Sequence, residues 1–222
     1  MKGTLFFFFA IAIFISASNA KAQSTRLSEA EYNSALAQAL EGASGINRRV
    51  ITEEKFYSGP TLTGMRNIVS EFAGPDAKRV EVTEDFGGKR SRSNYVKLSG
   101  QFFCREGDKG WKRADRDCAK KGQAMAIPDG KYEFFVEPDP NFAGRKIYTR
   151  RAAYTDAGSP DRDTARLKFI EMKFTADETG IITEYIETRR GGNDPNEWSS
   201  TQWTRYEYEP NGLRITDPTK EN

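Results

Sequence analysis

The chain has 222 residues, 34 Lys plus Arg, 32 Asp plus Glu and no histidine. A Ser-His-Asp triad, a Cys-His pair, a histidine-ligated metal and a histidine pH switch are therefore excluded. Hydrophobics at 37% and aromatics at 12% give enough bulk for a real core, which excludes a disordered chain.

Residues 1–22 read as a signal peptide. Met1 and Lys2 form a short basic start, Leu5 to Ile15 run almost wholly apolar, and small residues follow at Ser16, Ala17, Ser18, Ala20 and Ala22. Ser18-Asn19-Ala20 and Ala20-Lys21-Ala22 both satisfy the small-x-small rule, and cleavage after Ala22 is preferred. The apolar run is shorter than the roughly 20 residues that a membrane span needs, and nothing later is apolar enough to span. No cysteine stands near the cleavage region to carry a lipid anchor. The expected location is the periplasm or the outside of the cell. Cleavage removes Lys2 and Lys21, leaving 32 basic residues against the 32 acidic ones. Such a neutral chain is a poor partner for nucleic acid or an anionic membrane, both of which call for a basic excess on one face.

Residues 23–222 are expected to form one domain, since no internal repeat or linker-like stretch divides them. Ser28 with Glu31 three residues on is a capping box. Tyr32, Ala35, Leu36, Ala39, Leu40 and Ala43 then recur at helical spacing, so the pattern predicts one amphipathic helix ending near Gly42 to Gly45. After Gly45 the apolar period falls to about 2. Strands are predicted at 47–57, 64–72, 78–85, 90–98 and 101–105, around Trp111, and at 131–137, 144–154, 165–174, 181–189, 198–208 and 213–215. Phe86-Gly87-Gly88-Lys89, Asp177-Glu178-Thr179-Gly180 and Pro210-Asn211-Gly212 are among the turns. Hairpin-sized connections make neighbours antiparallel, and a sheet of that width must curl. The expected fold is mainly β (α+β): a single large curled antiparallel sheet, a half-barrel with its strands in chain order, covered by the N-terminal helix. Leu167-x-Phe169 followed by Ile170-x-Met172-x-Phe174 breaks the alternation once, which predicts a bulge.

Cys104 and Cys118, the two cysteines, lie in the exported part and are expected to form a disulfide. Closing a loop of that size stabilises a fold by roughly 3 kcal/mol in the chain-entropy model.

Apolar tracks mark the candidate site. Leu36 and Leu40 on the helix, and Phe134, Val136, Ile147, Phe169, Ile182, Ile186 and Trp203 on neighbouring strands, are the expected lining of a ligand cavity or a packed core. No catalytic set, metal ligand or cofactor motif emerges. Glu207 and Glu209 are predicted on one strand face roughly 7 Å apart, which a solvated face also gives. Asp115 with Asp117, and Asp156, Asp161 and Asp163, do not copy the spacing of a calcium loop.

Phe103-Cys104-Arg105, then Trp111-Lys112, then Cys118, and the closing run from Tyr206 to Asn211 into Leu213-Arg214-Ile215, add to this order of elements. Together they resemble the LolA/LppX-like lipoprotein-carrier superfamily, and within it uncharacterised exported bacterial proteins. The resemblance covers most of the mature chain. It implies a half-barrel with a helical lid enclosing an apolar cavity for acyl chains, and it carries over no lipoprotein-binding arginine. The expected function is a non-enzymatic carrier or sensor of a hydrophobic small molecule, lipid or lipoprotein acyl chain. The alternative is a cell-envelope module with a packed core that binds another protein.

Overall fold

In a computed structural model of the chain, residues 24–115, 131–153, 167–192 and 197–220 are described. The signal-peptide reading and the aspartates at 117, 156, 161 and 163 fall outside them. So does Cys118, while Cys104 lies on a strand and faces Tyr95 and Lys112 across the ladder.

The elements run β1 (Thr25–Leu27), α1 (Glu29–Ser44), β2 (Arg48–Ser58), β3 (Thr61–Ala73), β4 (Ala77–Phe86), β5 (Lys89–Leu98), β6 (Gln101–Glu106) and β7 (Lys112–Ala114). They continue with β8 (Glu133–Pro138), β9 (Lys146–Ala153), β10 (Leu167–Ala176), β11 (Ile182–Gly191) and β12 (Trp198–Tyr208). These strands form one antiparallel sheet that is not closed into a barrel, in the order β1-β8-β9-β10-β11-β12-β2-β3-β4-β5-β6-β7.

That order corrects the single order-preserving meander expected from the turn signals. There are two meanders, β2–β7 and β8–β12, and the last strand of the second pairs with the first strand of the other. The seam runs in register from Trp198 opposite Ser58 to Tyr208 opposite Arg48, with a hydroxyl contact of 3.0 Å between Thr52 and Thr204. Turn residues specify only sequence neighbours, whereas the seam joins residues as far apart in sequence as Thr52 and Thr204, 152 positions. A second correction follows from it. Residues 213–215 are not a strand and do not extend the meander beside β12, which is already paired on both sides. Ile215 crosses instead to a small cluster with Val96 and Phe103, against which Leu98 and Trp111 pack. β1, three residues long, has too little pattern to be read from sequence.

The helix forms as its signals predict. The Ser28 amide donates to Glu31 Oε2 at 2.7 Å, and the Glu31 amide donates to Ser28 Oγ at 3.3 Å. These reciprocal bonds satisfy donors that a first helical turn leaves open. At the other end Arg48 donates to the carbonyls of Ala43, 2.7 Å, and Ile46, 3.2 Å. The buried stripe of α1 is Tyr32, Ala39 and Ala43, packed on Phe134, Phe174, Ala176 and Ile182.

The β10–β11 turn is built on Asp177. Its Oδ1 accepts from the Thr179 amide at 2.9 Å, Thr179 Oγ1 at 2.7 Å and the Ile181 amide at 3.0 Å. Partial burial works against the charged carboxylate, but the bonds from Thr179 and Ile181 outweigh it and hold the carboxyl below its ordinary 3.8. A depressed carboxylate stabilises the fold above its unfolded value and loses that contribution as pH falls through the folded value. Asp177→Ala is expected to cost roughly 1 kcal/mol at neutral pH. In thermal melts the gap between wild type and variant should narrow below about pH 4.

Candidate functional site

Residues opposite each other in an antiparallel ladder share a sheet face, so the register divides the sheet into a helix side and an outer side. Phe134, Tyr148, Phe174, Tyr185 and Thr204 lie in one tract of the helix side, through the pairings Phe134 with Arg150, Tyr148 with Phe174, Phe174 with Tyr185, and Tyr185 with Thr204. Tyr32 of α1 drops into this face. Its ring centroid is 5.3 Å from that of Phe134 and 5.5 Å from that of Phe174, and Phe174 is stacked on Tyr148 at 4.6 Å. Tyr32 is 2% exposed, Phe174 0% and Ile182 1%. The space directly beneath the helix is therefore filled by the protein's own side chains.

The predicted lining residues separate accordingly. Phe134 and Ile182 are core, with Leu36 packed against them from the helix. Leu40 is turned away from the sheet and 46% exposed. Ile147 faces Thr175 and Glu137, Ile186 faces Lys173 and Trp203, and Phe169 faces Ala153 and Arg190. All four of Ile147, Phe169, Ile186 and Trp203 thus lie on the outer side, opposite the helix. Two register shifts explain much of the error. One falls between Leu167 and Phe169, where the alternation breaks, and the other adjoins Ala176, where Ile182 is the partner and Thr183 is skipped. Each inverts parity, so Ile182 and Ile186, four residues apart, point to opposite faces. Trp203 is exposed on that outer face and donates from Nε1 to Glu184 at 2.6 Å.

Val136 lines an open groove, of about 380 Å³, between the start of α1 and strands β1, β8 and β9. Its apolar walls are Leu27, Ala35, Val136, Pro138 and Tyr148, with Thr25, Glu31, Glu137 and Lys146 as its polar groups. Leu27 belongs to the strand that the sequence pattern missed. Tyr148 was within reach, because a hairpin register that pairs it with Phe174 also places it on the helix side. A larger cleft of about 540 Å³ holds Phe169 and Trp198, but Lys168, Arg190 and Glu197 line it and a Lys168–Glu197 ion pair of 3.6 Å bounds it.

Beyond the aromatic core, the helix side of β11 and β12 carries the polar residues Glu187, Arg189, Gln202 and Thr204. Glu187 accepts from the Tyr185 hydroxyl at 2.7 Å and from Arg189, and Gln202 Nε2 approaches Thr204 Oγ1 at 3.3 Å. Burial, with the neighbouring Glu187 carboxylate, pushes the Tyr185 hydroxyl up, so it stays a neutral donor. Glu207 is held by Arg205 at 2.8 Å and Arg49 at 3.6 Å. Glu209 lies past the end of β12 in the left-handed region, φ 47, so the two carboxylates are not on one strand face. Among the described residues no group of three or more Cys, Asp or Glu could hold a metal ion, and no helix is long and apolar enough to cross a membrane.

No model of a known protein family matches the chain, and no curated protein matches it significantly.

Proposed function

We propose that the protein is an exported, non-enzymatic binding protein that takes up a hydrophobic molecule, a lipid or an acyl chain, in the groove beside α1. The observation that carries this reading is the groove itself. Its volume, about 380 Å³, lies within the range of small-molecule sites, and five of its walls are apolar. Burying an alkyl chain there gains roughly 25 cal/mol per Å². The resemblance of the element order to the LolA/LppX-like carriers supports the same reading, with a half-barrel curl of the sheet, a cleaved leader and a Cys104–Cys118 staple. The ligand seat then differs from a central cavity, because Tyr32, Phe134 and Phe174 occupy the centre.

The test is displacement of a fluorescent fatty-acid probe from the purified mature chain. Wild type is expected to take up the probe. Ala35→Trp, which fills the groove from the helix, should weaken uptake by roughly tenfold or more, since an indole in place of the chain forfeits its burial. Gln38→Glu, on the exposed side of α1, should bind as wild type does. A folded wild type that ignores the probe would leave the envelope interaction module as the reading.

A further inference from the structure

We propose that the helix side carries a second, separate site, a seat for the oxyanion of an anionic amphiphile between Lys78 of β4 and Lys97 of β5. It stands on the charge pattern of the sheet and does not rest on the groove beside α1. The register sets Phe72, Lys78, Lys97 and Phe102 side by side across β3, β4, β5 and β6. Wherever else the described strand pairs set two charged residues directly opposite, the signs are opposed, as in Arg49 with Glu71, Arg66 with Glu84 and Asp85 with Arg90. Lys78 and Lys97 alone set like against like.

Directly opposed like charges destabilise a strand pair. Among the described residues neither lysine forms an ion pair that would offset this; the Lys78 ammonium stands 5.2 Å from the centre of the Phe72 ring. A phosphate or carboxylate between the two ammonium groups turns the repulsion into charge-assisted hydrogen bonds, the point-charge mode in which lysine binds phosphate. The surroundings choose the kind of anion. Phe72 and Phe102 flank the two lysines in the row, so an apolar body attached to the anion finds ring contact that a free ion cannot use.

Calorimetric titration of the mature chain at low ionic strength tests this, with octyl phosphate, inorganic phosphate and octyl glucoside as probes. Octyl phosphate is expected to bind roughly tenfold or more tightly than inorganic phosphate, and octyl glucoside not to compete at this seat. The same titration on Ala35→Trp should retain the octyl phosphate site, which separates it from the groove. Lys97→Gln should weaken it by roughly tenfold or more. Lys97→Glu should abolish it while raising the melting temperature of the ligand-free protein, because Lys78 then faces an opposite charge. Equal affinity for the two phosphates would keep the seat and assign it to free phosphate, against the amphiphile. Wild-type affinity in folded Lys97→Gln, no anion binding at millimolar concentration, or competition by octyl glucoside equal to that of octyl phosphate would overturn the proposal.

Discussion

Tyr32→Ala should be among the most damaging single substitutions in the chain, lowering stability by about 3–5 kcal/mol. The ring is 2% exposed and sits between Phe134 and Phe174, so its removal leaves a hole whose walls belong to β8 and β10 of one hydrogen-bonded sheet and cannot close. The stripe of α1 consists otherwise of small residues, Ala39 and Ala43, with Ala35 and Leu36 beside them, so the helix loses its principal anchor as well. For a protein of this size that loss is about 6–20 °C in melting temperature. Differential scanning calorimetry of wild type and variant measures it, and a shift under about 2 °C would remove Tyr32 from the centre of the core. Tyr32→Phe keeps the packing. Burial pushes the Tyr32 hydroxyl up to about 12, with Arg150 opposing. A raised group stabilises the fold below its unfolded value, so this contribution is lost as pH climbs from about 10 toward about 12, and Tyr32→Phe should lessen that alkaline loss.

Arg189→Met is expected to cost about 3–5 kcal/mol by a different route. The Arg189 side chain is 9% exposed and that of its partner Glu187 13%, so removing the guanidinium leaves a carboxylate nearly out of water, with the Tyr185 hydroxyl as its remaining hydrogen-bond donor among the described residues. The decisive comparison is the double variant Arg189→Met with Glu187→Gln. It removes both charges and keeps an acceptor for Tyr185, and it should be more stable than Arg189→Met alone. Urea unfolding of the three proteins decides this; additive losses would mean that the two side chains do not act as a pair.

What was legible in the sequence followed from local chemistry. Ser28 and Glu31 mark the helix start, Asp177 and Gly180 mark a hairpin, and a break in alternation marks the shift at Leu167. Even the lysine pair was accessible: the Gly87-Gly88 turn sets Phe86 opposite Lys89, and counting outward brings Lys78 to Lys97. Long-range choices were not legible. Nothing local tells β12 to return to β2, and that return leaves Leu213 to Ile215 no place beside β12. The candidate site suffered most, because face assignment needs unbroken parity. One skipped residue at Thr183 sends Ile186 to the outer side, and the groove depends on Leu27, from a strand too short to show a period.

Native mass spectrometry of the protein purified from its own cell envelope shows directly whether it carries a hydrophobic molecule. The expected species is a chain starting at Gln23, two hydrogens lighter than its sequence, carrying a nonpolar molecule that organic solvent releases and that the Ala35→Trp form lacks. A chain that emerges from the envelope with no such molecule, and that gains none when incubated with envelope lipid, would contradict the proposed function.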